Sequence, residues 1–173
     1  MNDILLNALR ARITRVFPAQ IRAAVQPLTD EQLWWRPNEE SNSVGNVLLH
    51  LTGSLNYYLA RNLGEIPYER DRAAEFAERR AIPKNDVLAM FEDMVSRAER
   101  TFDSLTPERL AGPSPEPTMH TLAVEDLVNV AAHLAFHAGQ IVWIAKMFDG
   151  SAVHETWIKT HRHEGAWKGK LVQ

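Results

Sequence analysis

The 173-residue chain contains no cysteine. Disulfides, thiolate metal ligands and cysteine nucleophiles are thereby excluded, and any metal must be held by His, Asp, Glu, backbone or water. An excess of basic charge is missing as well: 19 Lys and Arg stand against 22 Asp and Glu, a net charge of −3. The two signs are interspersed, so the electrostatic footprint of a nucleic-acid binder is not there. Nor is any long apolar run free of polar groups. The longest uncharged one, Leu127 to Ala145, carries Asn129, His133, His137 and Gln140, a load that a membrane span of about 20 residues seldom bears. The first residues, Met1-Asn2-Asp3-Ile4, lack a basic region and a cleavage signal, so a soluble cytoplasmic chain is expected. What remains is 45% hydrophobic and 24% charged, the profile of a globular domain rather than a disordered or fibrous chain. At this length folding buries about 70% of the unfolded surface, which holds a core without a metal or disulfide staple.

Four segments show the three-and-four spacing of an amphipathic helix. The first, Asp3 to Gln26, places Ile4, Leu9, Ile13, Phe17, Ile21 and Val25 on one side and predicts a kink or break at Pro18. Residues 28–37 read as a short helical turn and an extended connector. The second helix is predicted from Val44 to Asn62, with Ser43 as N-cap and Gly64 past its end. The third is predicted from Asn85 to Leu105. The fourth starts near Thr121, a candidate N-cap, and ends near Asp149-Gly150. Between the second and third lies a long charged connector, residues 65–83, which suggests a crossover or a short extra helix. Pro107 and the run Gly112-Pro113-Ser114-Pro115-Glu116-Pro117 mark a loop. The expected fold is an all-α four-helix bundle over residues 1–150, one domain, followed by a C-terminal tail, 151–173, of no clear period.

The chemistry rests on histidines. His133 and His137 are four residues apart within the fourth helix, so their side chains leave one face about one turn apart and can chelate one ion. The helical metalloprotease motif is excluded, because Leu134 stands where that motif needs its catalytic Glu. Both histidines fall to one side of the core stripe Leu127, Leu134, Ala138, Ile141, Ala145, and His50 falls to the same side of the second helix. If the two helices face each other, three imidazoles can converge at the rim of the core and leave coordination positions open, as in catalytic sites. Ordinary core or surface histidines with no ion are the other reading of the same spacing.

The segments Ser43-Val44-Gly45-Asn46-Val47-Leu48-Leu49-His50-Leu51 and Asn129-Val130-Ala131-Ala132-His133-Leu134-Ala135-Phe136-His137-Ala138-Gly139-Gln140-Ile141, with the connector Leu33-Trp34-Trp35-Arg36-Pro37, resemble the DinB-like family of four-helix proteins. The resemblance spans nearly all of the chain up to Gly150. It implies a bundle, frequently a homodimer, with a divalent metal on His50, His133 and His137. Zinc or nickel is expected first, with iron or copper also suited to imidazole. Relatives of that family include bacillithiol transferases and mycothiol-dependent maleylpyruvate isomerase. The implied activity is a metal-dependent reaction on a small molecule, thiol transfer to an electrophile ahead of hydrolysis. With no cysteine here, the thiol would arrive as a cosubstrate. A non-catalytic, dimeric metal- or ligand-binding bundle is the alternative.

Further residues surround this constellation. Asn129, one turn before His133, and Gln140, three residues after His137, are candidates to orient an imidazole or hold a substrate oxygen. Tyr57, with Ser54 on the His50 side of its helix, is a candidate proton donor or a packing residue. Asp126 is expected to serve the N-terminal dipole of its helix, and His120 to have no chemical role. His154, His161 and His163, with Trp157 and Trp167, are expected in a solvated tail. Phe136 and Trp143 lie opposite the core stripe of the fourth helix and suggest a homodimer through it. Trp34 and Trp35 are expected to give one ring to the core and one to a groove wall. The charged connector is expected to be solvated surface with no specific role.

Overall fold

The computed structural model describes residues 3–116 and 119–150, among which there are helices and no strand. Helix α1 (Asp3–Ala11) runs through a π-helical turn (Arg12–Val16) into α2 (Phe17–Val25). The short α3 (Asp30–Trp34) follows, then α4 (Val44–Leu55), extended by a second π-helical turn (Asn56–Arg61). The short α5 (Arg72–Ala77) precedes α6 (Lys84–Ser104), the short α7 (Pro107–Ala111) and α8 (Ala123–Phe148). Four long helical segments thus form an all-α bundle. The α2 helix packs on α8, α4 lies against both α6 and α8, and α5 covers the outside of α4.

Local chemistry explains most boundaries. Ser43 caps α4 in a reciprocal box: its Oγ accepts the Asn46 N–H at 3.0 Å while the Asn46 side-chain oxygen accepts the Ser43 N–H at 3.3 Å. Three expectations need correcting. The first helix does not break at Pro18; the adjustment lies one turn earlier, in the π-helical turn. Proline cannot donate to the carbonyl of Thr14 and its ring crowds that group, so a wider turn there relieves the clash. Residues 107–111 are not loop but a helical turn, because Thr106 caps it and Pro107 suits its first position. The fourth helix begins at Ala123, and Thr121 does not cap it. Instead the Glu125 carboxylate accepts the backbone N–H groups of Thr121 and Leu122, both at 2.8 Å.

The core is the meeting of four stripes: Ile21 and Val25; Leu48, Leu51 and Leu55; Val87, Phe91, Met94 and Ala98; Leu127, Leu134, Ile141 and Ala145, all buried. By length and composition α8 could cross a membrane; in this fold its apolar stripe is bundle core. Trp34 packs against that core over Gly45 and donates its indole N–H to the Ile82 carbonyl at 2.8 Å. Among the described residues Phe91 is the largest side chain with no exposed surface. Replacing it with alanine is expected to cost about 3–5 kcal/mol, visible as a lowered urea midpoint with an unchanged slope. The predicted tail, with His154, Trp157, His161, His163 and Trp167, lies outside the described residues.

Candidate metal centre

On α4, residues three and four apart share a face, and here that face meets the connector. The buried Asn46 amide donates to the carbonyls of Glu75 and Glu78, at 3.1 and 3.2 Å. One turn on is His50, and beyond it Gly53. The connector folds back because Asp71 caps α5, accepting the Ala74 N–H at 2.9 Å, and Ala73 and Ala74 favour helix. The result places the Glu75 carboxylate, itself buried, between His50 and Arg70. Its Oε2 lies 2.9 Å from His50 Nδ1, and Arg70 donates to both oxygens at 2.7 and 2.8 Å. Gly53 makes room: a Cβ there would overlap Glu75 Oε1 and stand 2.7 Å from its carboxyl carbon. Burial alone would raise the Glu75 pKa, but the hydrogen bonds from Arg70 and His50 outweigh it and hold the carboxyl below its ordinary value. The expectation of a solvated connector with no specific role is therefore corrected. A cluster of charge gave no hint that one carboxylate turns inward; the helix cap Asp71 followed by Ala-Ala and Phe76 was the available signal.

The structure brings His50, His133 and His137 together. The Nε2 atoms of His50 and His137 each lie 3.0 Å from His133 Nε2, and all three imidazoles offer a nitrogen within a 4.8 Å cluster. Every Nδ1 has a separate neighbour. That of His50 faces Glu75, that of His137 lies 2.7 Å from the Gln140 side-chain oxygen, and that of His133 lies 3.4 Å from Ser54 Oγ. A carboxylate and an amide oxygen accept only, so Nδ1 of His50 and of His137 donates to them, with Arg70 also 3.3 Å from His50 Nδ1, and both rings turn Nε2 toward His133. His133 is neutral near pH 7: burial, then the charges of His137, His50 and Arg70, push its pKa down to about 4 against an opposing pull from Glu75. Burial likewise lowers His137, with the Gln140 hydrogen bond acting the other way.

The three Nε2 atoms are turned toward one another, and a cation standing among them would offset the repulsion of their lone pairs. Two nitrogens bound at about 2.1 Å and at right angles to one ion are about 3 Å apart, the spacing observed. The donor set fits a divalent metal, and the Nδ1 partners supply the outer hydrogen bonds that fix ligand rings in metal sites.

Two hollows flank the cluster. One, of about 220 Å³, is walled by His50, His133, Ser54, Tyr58, Arg70 and Asn129 among others. The other, of about 410 Å³, is walled by His137, Gln140, Trp35, Val47, Phe76 and Trp143 among others. Asn129 thus borders the first, and Gln140 holds His137. Tyr57 borders neither; its ring packs edge-on against Tyr58 and under Arg61. The π-helical turn inserts an extra residue into that turn, which carries the next tyrosine to the position that α-helical counting assigns to Tyr57. Asp126 is buried and takes His120 Nδ1 at 2.7 Å, tying the preceding loop to α8 rather than facing the histidine cluster.

Fold and site define a helical bundle with a three-histidine cluster suited to one divalent ion. The chain belongs to the DinB superfamily, whose family model matches residues 13–141, a span that includes all three histidines and the connector. No curated protein and no solved structure matches it.

Proposed function

We propose that the chain is a metal-dependent enzyme acting on a small molecule, with thiol transfer to an electrophile ahead of hydrolysis. The observation that carries this is the convergence of three Nε2 lone pairs, each ring held from behind, at the wall of open hollows. His50, His133 and His137 would hold the ion, with zinc or nickel preferred and iron next. When bound, it would supply Lewis acidity that brings the pKa of a thiol or water towards neutrality. Glu75 and Gln140 hold two of the rings in one tautomer, and the buried Arg70 keeps Glu75 ionised. Asn129 and Tyr58 offer hydrogen bonds to a substrate in the smaller hollow. In the transfer, the thiol gives its proton to water, its sulfur forms a bond to the electrophilic carbon, and the bond from that carbon to the leaving group breaks, the leaving group departing with its electron pair. The chain has no cysteine, so the sulfur is the cosubstrate's. A reduced thiol cosubstrate suits a cytoplasmic setting, where low-molecular-weight thiols are kept reduced.

Untagged protein prepared without a metal column is expected to retain about one ion per chain. The metal-loaded protein is then expected to accelerate loss of free thiol when a reduced low-molecular-weight thiol and a halogenated aromatic electrophile are mixed. Metal without turnover against any thiol or hydrolysable ester would favour the non-catalytic binding bundle. That second reading draws on α8, where Val128, Phe136, Trp143 and Met147 are all at least half exposed. We infer a homodimer through this face in either case, and Trp143→Glu is expected to shift the sedimenting species from dimer to monomer.

A further inference from the structure

We propose that the substrate is a small organic carboxylate, held in the 220 Å³ hollow by Arg72 and Asn129. It rests on the metal-centre reading for its chemistry, though not for its binding. The hollow is below the range of about 300–1,000 Å³ typical of drug-sized ligands, so its occupant is small. Among the described residues its walls include two arginines and no acidic residue.

The two arginines differ in what they have left to give. Arg70 spends Nε and one terminal nitrogen on Glu75, whose charge offsets its own. Arg72 is exposed and has no carboxylate partner among the described residues. It is held by an aromatic face instead: its guanidinium carbon is 5.1 Å from the Phe76 ring, and that ring lies 4.7 Å from the ring of His50. A guanidinium positioned by stacking keeps its planar fork of donors for an anion, and a carboxylate matches that fork with two parallel hydrogen bonds. Across the hollow Asn129 is exposed and adds amide donors from the turn before His133. The anion's neighbouring atoms then lie against the rim formed by His50 and His133.

Benzoate, its neutral isostere benzamide and phenyl phosphate serve as probes, titrated calorimetrically into the full chain both metal-loaded and chelator-treated. Benzoate is expected to bind at least about tenfold more tightly than benzamide in both states. Arg72→Met is expected to remove that preference while leaving metal content unchanged, and Asn129→Leu to weaken benzoate severalfold. Circular dichroism checks that both variants fold. Equal affinity for benzoate and benzamide, or benzoate binding indifferent to Arg72→Met, overturns the proposal. Phenyl phosphate binding far above benzoate overturns the carboxylate assignment. Arg72-dependent benzoate binding by protein that takes up no ion supports this site and sinks the metal reading alone.

Discussion

Replacing His133 with alanine is expected to weaken divalent-metal binding by two to three orders of magnitude. Structural zinc in four-ligand sites is worth about 10–16 kcal/mol, or about 2.5–4 kcal/mol per ligand. His133 is the ligand candidate to remove because its Nε2 is the one 3.0 Å from both others. Without it the remaining two rings sit on different helices, His50 on α4 and His137 on α8, with their centroids 5.1 Å apart. The expected signature is specific. Ion-free variant and ion-free wild type melt within about 1 kcal/mol of each other, since the lost ring is half-buried and its removal relieves crowding among three lone pairs. Added zinc at 100 times its dissociation constant then stabilises the wild type by about 2.7 kcal/mol, roughly 5–10 °C in Tm, and the variant hardly at all. His120→Ala, whose ring pairs with Asp126 instead, should respond like the wild type. A His133→Ala protein that still gains full stability from zinc would sink the metal centre.

The second large effect comes from outside the bundle. Glu75→Gln and Gly53→Ala are each expected to lower metal affinity about 10–100-fold and to loosen the connector. They act through one contact by different means. Glutamine keeps the shape but removes the charge, leaving the Arg70 side chain, 8% exposed, without its counter-ion. Leaving such a cation unpaired in place costs about 3–5 kcal/mol, and swinging the connector into water avoids that cost. Alanine at position 53 keeps every charge but puts a methyl group where the carboxylate sits. In both variants His50 loses the partner that fixes its tautomer. Trypsin is expected to cut at Arg79 or Arg80 faster than in the wild type, while the core transition in urea moves far less than for Phe91→Ala. If Gly53→Ala bound metal with native affinity, Glu75 would have no positioning role.

These two predictions stand on different kinds of legibility. The His133–His137 pair was visible in the chain because four residues is nearly one helical turn, and a spacing of that kind survives any packing. The four helices were visible for the same reason: Leu48, Leu51 and Leu55, or Leu127, Leu134 and Ile141, repeat at the helical period. Ser43 announced its cap by residue type alone, and the reciprocal bond with Asn46 came with the structure. Glu75 carried no such mark. Its role depends on residues 25 and 5 positions away, His50 and Arg70, and on the space left by Gly53. Tyr58 displaced Tyr57 at the hollow because a single π-helical turn offsets every count made across it.

Periodicity and the absence of cysteine were enough to define the bundle, a donor set without sulfur and the face on which two of its histidines lie. Those properties are local, set by backbone geometry and side-chain type. The docking of α4 on α8, the inward turn of Glu75 and the walls of the hollows came only with packing. Each requires residues distant in the chain to meet at ångström precision, and that meeting is settled by which apolar stripes bury one another and by which polar groups must then be satisfied.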